Sequence, residues 1–204
     1  MRTYTVYDLK PKFQDLLRPM VNMLARTGIT ANQVTIAGCA ISIIQGCLIL
    51  TFPDSRGVMW LLPIVLFVRM ALNAMDGLLA KEHGMKSKLG VILNELADVV
   101  SDLAIFLPFC RVPGFQPRWV IAFSILAILT EFVGVVAVQM GASRRYDGPM
   151  GKSDRTAAFG FFAILIGSGV PIRGWISIAV LGLNAALLYT IYNRISKALR
   201  EVNA

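Results

Sequence analysis

The chain has 204 residues, 56% of them hydrophobic and only 16% charged, with a mean hydropathy of +0.65. That balance excludes an ordinary soluble domain and fits a single helical membrane domain. The net charge of +8 sits in short loops between apolar runs, not in basic tracts interleaved with aromatics. It therefore points to anionic headgroups and phosphate-bearing substrates, and away from nucleic acid.

In chain order, residues 1–30 carry Arg2, Lys10, Lys12, Arg18 and Arg26, while Tyr7, Leu9, Phe13, Leu16, Leu17, Met20, Val21 and Leu24 recur at helical spacing. This predicts an amphipathic juxtamembrane helix, lying in the headgroup plane or packed on the cytosolic face of a bundle. The charged N-terminus lacks the pattern of a cleavable signal peptide. Gly28 ends the helix, and Thr30 or Asn32 is placed to cap the next.

Six apolar runs follow, at about 33–52, 58–81, 89–110, 118–140, 154–170 and 174–196, each read as a span of a bilayer core. The fifth is the shortest, closed by Gly167, Gly169 and Pro171. The expected fold is an all-α polytopic membrane protein: the amphipathic helix within 1–30, then a six-helix transmembrane domain over 31–204. With both termini inside, fifteen lysines and arginines fall on the cytoplasmic side, against Arg56, Arg111, Arg118 and Arg173 outside. The positive-inside rule accordingly places both termini, and the loop near residue 85, in the cytoplasm. The three cysteines lie in or at the ends of apolar runs without CxxC pairing, and read as packing residues rather than disulfide or zinc ligands.

The stretch 73–102 places acidic groups at the edge of a membrane, where such groups are functional by default. Asn73, Asp76, Gly77 and Ala80 share one face near the inner end of the second span; Gly90, Asn94, Asp98 and Asp102 form a stripe on the third. The intervening loop is short, so the two helices are antiparallel neighbours. Oxygen atoms of Asn73, Asp76, Asn94 and Asp98 would then gather into one cluster suited to a hard divalent cation such as Mg²⁺ or Mn²⁺. Gly77, Ala80 and Gly90 leave room for a ligand at the backbone, or equally serve tight helix packing.

The spacing Asn73-x2-Asp76-Gly77-x2-Ala80-Lys81-x8-Gly90-x3-Asn94-x3-Asp98 resembles the signature D-x2-D-G-x2-A-R-x8-G-x3-D-x3-D of the CDP-alcohol phosphotransferases, also called CDP-alcohol phosphatidyltransferases. The run at 28–35 and the number of spans resemble that family too. The resemblance implies transfer of a substituted phosphate group from a CDP-alcohol, often CDP-diacylglycerol, to an acceptor alcohol with release of CMP. It implies divalent metal on the motif acids, Asp98 as the base, and nucleotide contacts at Gly77, Ala80, Lys81, Ser87, Gly90 and Asn32. A homodimer is also implied, and the compact chain suits a bacterial inner membrane. The acceptor stays open among alcohols such as glycerol phosphate, serine and inositol phosphate.

Two family aspartates are replaced by Asn73 and Asn94, and the family arginine by Lys81. Four formal negative charges become two, which lowers metal affinity, and Lys81 meets a phosphate as a point charge rather than bidentately. Glu95 adds a carboxylate nearby, and a shifted register would make Asp98 a ligand and Asp102 the base. Arg69, inside the second span, is expected to pair with Glu131, Asp102 or Glu95. Arg144, Lys152 and Arg155 form a second basic cluster, read as a site for an anionic acceptor or lipid phosphate, or as ordinary positive-inside flanking. Gly-Lys-Ser at 151–153 lacks the glycine and strand of a phosphate-binding loop. His83 reads as a loop residue. Two other functions fit the residues: a catalytically degenerate lipid- or nucleotide-binding homologue, and, with no inverted repeat to support it, a small transporter.

Overall fold

A computed structural model describes the backbone of residues 6–203 and the side chains of 12–203. Arg2 lies outside the described residues, as do the side chains of Tyr7, Leu9 and Lys10. Among the described residues the chain forms seven α-helices and one 3-10 segment, with no strand.

Helix α1 (Val6–Arg26) stops at Gly28, which takes φ +80°, a left-handed conformation that suits glycine. There the Ile29 N–H donates to Leu24 O at 3.0 Å and closes the helix end. Thr30 then caps α2 (Ala31–Thr51): its hydroxyl accepts from the Gln33 N–H, and the Gln33 side chain accepts from the Thr30 N–H at 2.9 Å. Helix α3 (Arg56–Glu82) is followed by a short loop to Ser87, whose Oγ accepts from the Gly90 N–H at 2.9 Å and caps α4 (Lys88–Phe106).

The third apolar run was expected to stay helical to residue 110. Its α-helix ends at Phe106, and Pro108 sits in a 3-10 segment (Leu107–Arg111) instead. Helices α5 (Pro117–Gln139), α6 (Lys152–Gly167) and α7 (Ile176–Val202) complete the chain. Pro117 opens α5, where a missing N–H costs nothing.

Among the described residues four helices are long and apolar enough to cross a membrane: α2, α3, α5 and α7. Of the six expected spans, α4 and α6 fall short for different reasons. Helix α4 carries Lys88, Glu95, Asp98 and Asp102, and α6 has only 16 residues, roughly 24 Å at the usual helical rise. Large apolar side chains such as Phe67, Phe132 and Ile178 are more than half exposed, as lipid-facing groups are.

The chain divides into two compact units. The first takes residues up to Ser42 together with Val65–Ser101. Its core joins Leu17 and Val21 of α1 to Ala31 and Val34 of α2 and to Met75, Leu78 and Leu79 of α3. The second takes Ile43–Ile64 and everything from Asp102 onward. Its core is aromatic: Phe159 lies 4.6 Å from Phe106, 4.9 Å from Phe109 and 5.0 Å from Phe123 between ring centroids. Within it a Cβ on Gly46 would collide with the Ala104 carbonyl, so α2 and the end of α4 meet backbone to backbone there.

Candidate active site

Helical periodicity brings the four oxygen-bearing side chains of α3 and α4 together as two pairs one turn apart. In the first pair, Asn94 Nδ2 lies 3.4 Å from Asp76 Oδ2. The same carboxylate oxygen accepts a 2.7 Å hydrogen bond from Thr35 Oγ1 of α2. In the second pair, Asn73 Nδ2 lies 3.4 Å from Asp98 Oδ1. Arg69 Nη2 approaches that oxygen to 3.9 Å and lies 3.4 Å from the Asp98 carbonyl. Asp76 and Arg69 are buried, whereas Asp98, Asn73 and Asn94 are half-buried.

A cavity of about 330 Å³ opens beside the first pair. Its wall includes Asn32, Thr35, Asp76, Gly77, Ala80, Ser87, Gly90 and Asn94, together with Lys86 and Glu95. Gly77 faces open space: a Cβ there would find no heavy atom within 4 Å. Gly90 is the reverse, since its Cβ would stand 2.8 Å from Asn32 Oδ1 and 3.0 Å from Ser87 Oγ. Glycine at 90 therefore lets α4 start against the head of α2. Asn73 and Asp98 lie outside the cavity wall, and Lys81 is exposed and outside it as well.

The donor chemistry is all oxygen and suits a hard divalent cation. Among the described residues no group of three or more His, Cys, Asp and Glu side chains is arranged to hold a metal. Any such ion would rely on the two carboxylates and on carboxamide oxygens.

The second basic cluster lies in the other unit, and its parts differ in exposure. Arg155 has no exposed surface. It donates to Thr130 Oγ1 at 2.8 Å, to Glu131 Oε1 at 2.9 Å and to Asp102 Oδ2 at 3.1 Å. Arg194, also buried, donates to the Thr130 carbonyl and stands 3.8 Å from Glu131. Arg144 lies 3.9 Å from Glu131 and keeps about a third of its surface exposed; Lys152 is half-buried. Arg155 was expected at the mouth of α6 as an anion-binding cation, but it is the internal counter-ion of two carboxylates, because a guanidinium buried there must be paired. Of the groups around Arg69, for which Glu131, Asp102 or Glu95 was the expected partner, Asp98 lies 3.9 Å from it, and Asp102 and Glu131 are both bonded to Arg155. Asp102, considered as an alternative base, is buried in that ion pair. His83 is an exposed loop residue, in contact with Asn22.

Thr35, Lys86 and the Arg69–Asp98 approach were not anticipated as parts of the site. For Thr35 the available signal was its place five residues after the Thr30 cap, which keeps it near the head of α2.

The sequence model of the CDP-alcohol phosphatidyltransferase family matches residues 28–192, most of the chain. The chain belongs to that family. It is accordingly a membrane phosphotransferase of phospholipid metabolism. It is 42% identical over 190 residues, 93% of its length and 94% of the relative's, to the inner membrane protein YnbA of Escherichia coli. It is 27% identical to phosphatidylinositol phosphate synthase of Mycolicibacterium smegmatis, covering 88% of this chain and 82% of that one. In structure it resembles phosphatidylinositol phosphate synthase of Mycobacterium tuberculosis. The form with CDP-DAG bound has a TM-score of 0.69 at 24% identity, covering 88% and 92% of the two chains. The complex with manganese and citrate gives 0.71 at 20%, covering 89% and 88%. At these identities the likeness establishes the fold.

Proposed function

We propose that this CDP-alcohol phosphatidyltransferase moves a phosphatidyl group from CDP-diacylglycerol, or a close CDP-alcohol, to an acceptor alcohol and releases CMP. The observation that carries this reading is the cavity whose wall combines Asp76 and Asn94 with Gly77, Ala80, Ser87 and Gly90 at the family spacing. The nucleotide would lie along Gly77, Ala80, Gly90, Ser87 and Asn32, with Lys81 reaching a phosphate as a point charge. Oxygens from the set Asn73, Asp76, Asn94 and Asp98 would hold divalent metal, Mg²⁺ or Mn²⁺. When bound, such an ion neutralises the diphosphate and the charge that develops on it. The manganese complex of the mycobacterial synthase supports this.

In the transfer the acceptor hydroxyl oxygen bonds to the phosphorus bearing the diacylglycerol. The phosphoanhydride bond to CMP breaks, and the hydroxyl proton passes to the Asp98 carboxylate. Arg144 and Lys152 would draw an anionic acceptor, with Arg155 holding the elements beneath them. The names of the mycobacterial relatives make inositol phosphate the first acceptor to try. The charge asymmetry supports six spans with both termini and the cavity cytoplasmic, and the Escherichia coli relative supports an inner membrane, where a homodimer is the expected form.

The test is CMP release by protein purified in detergent, given CDP-diacylglycerol, Mg²⁺ or Mn²⁺, and inositol phosphate, glycerol phosphate or serine in turn. The wild type should release CMP with at least one acceptor, and Asp98→Asn should not. Silence with every acceptor and both ions removes the reading. Asn73 and Asn94 favour a second reading, a binding protein that has lost catalysis. Activity that emerges only in the Asn73→Asp/Asn94→Asp double variant would establish it.

A further inference from the structure

We infer that this site holds one divalent ion, at the Asp76–Asn94 pair, and that the Arg69 guanidinium supplies the fixed positive charge at the Asp98–Asn73 pair. The inference rests on the metal-dependent reading above and specifies it. The Arg69 guanidinium beside Asp98 balances that carboxylate, which leaves Asp76 to face the ion, with the remaining charge met by the diphosphate of the ligand.

The geometry separates the two pairs in the same way. Asp76 and Asn94 belong to the cavity wall, where a diphosphate could share the ion. Asp98 and Asn73 do not, and their surroundings already provide positive charge. Arg69 is 3% exposed, stands 3.9 Å from Asp98 Oδ1 and lies 3.4 Å from the Asp98 carbonyl. Asn73 Nδ2 is 3.4 Å from that same carboxylate oxygen. A guanidinium does not lose its proton, so the charge beside Asp98 is permanent and repels a second cation. The low exposure of Arg69 keeps solvent from screening that repulsion. Arg69 is thus a positioning residue that acts through Asp98.

The experiment counts Mn²⁺ ions bound to detergent-purified protein by electron paramagnetic resonance, with the metal alone as probe. One ion per chain is expected in the wild type and in Asp98→Asn, and none in Asp76→Asn. Arg69→Met, which relieves Asp98 of its cation, should tighten Mn²⁺ binding by about tenfold. A packing role for Arg69 would leave binding unchanged or weaker. Combining Arg69→Met with Asn73→Asp and Asn94→Asp should admit a second ion, visible as spin–spin coupling between two Mn²⁺ centres. Two ions in the wild type, or loss of the single ion in Asp98→Asn, overturn this inference and leave the metal-dependent reading standing. No ion in the wild type at millimolar Mn²⁺ overturns both. The wild-type count needs no variant to fold.

Discussion

Thr35 Oγ1 donates to Asp76 Oδ2 at 2.7 Å, and through that bond the head of α2 holds the acid of α3 against the cavity. Both groups are buried. Thr35→Val keeps the shape and removes the donor. It should lower stability by about 1.5–3 kcal/mol, the worth of a hydrogen bond to a charged group, while Thr35→Ser should stay close to wild type. Thermal melts in detergent decide this: equal midpoints for Val and Ser would mean that the bond contributes nothing.

Gly77 separates folding from function. A Cβ there meets no heavy atom within 4 Å, and the position is inside α3. Alanine is the better helix former by about 1 kcal/mol, so Gly77→Ala should melt at the same temperature or higher. The added methyl enters the cavity, and CMP release should drop by about tenfold or more as the substrate loses its geometry. Full activity in this variant would show that no ligand approaches the α3 backbone.

Arg155 is predicted to be a stability residue. Arg155→Met removes the guanidinium shared by buried Asp102 and half-buried Glu131, a loss on the order of 3–5 kcal/mol. Adding Asp102→Asn should restore part of it, since a buried carboxylate charge then disappears. Denaturation of the single and double variants measures the coupling; additive losses would show that the residues act independently.

Asp147 gives a pH dependence with a definite sign. Its carboxyl is held below the ordinary carboxylate range, first by the hydrogen bond from Lys197 and further by Arg145. A carboxylate depressed in the folded state stabilises fully above its unfolded value, about 3.9. That contribution is lost as pH falls through the lower folded value. Wild type should therefore melt above Asp147→Asn at neutral pH, and the gap should close only below about pH 4. A gap that closes between pH 6 and 8 would point to a different group.

Much of this site could be read from spacing alone. Steps of three and four along α3 and α4 place Asn73 with Asp76 and Asn94 with Asp98, and a short loop makes the two helices neighbours. The Thr30 cap and the break at Gly28 are local chemistry and are equally legible. What spacing does not give is the rotation of one helix against another, which is set by packing. That rotation turns Arg69 to Asp98 and brings Thr35 to Asp76. It also buries Arg155 between Asp102 and Glu131 instead of leaving it at the surface. The early end of α4 is different: Pro108 was visible, but the apolar run continues past it.

The segment 143–151 between α5 and α6 is fastened along the C-terminal half of α7. Glu201 accepts from the Ser143 backbone and hydroxyl, Lys197 from α7 reaches Asp147, Arg194 donates to the Asp147 carbonyl, and Thr190 accepts from the Met150 N–H. Gly148, at φ +118°, lies so close that a Cβ would stand 2.8 Å from the Thr190 Cα. These anchors are spaced over three turns of one helix, so the segment and the helix end should exchange their amide hydrogens as one cooperative block. A spin label at exposed Tyr146 would then report on α7, offering a handle on motion at this edge without touching Asp76 or Asp98.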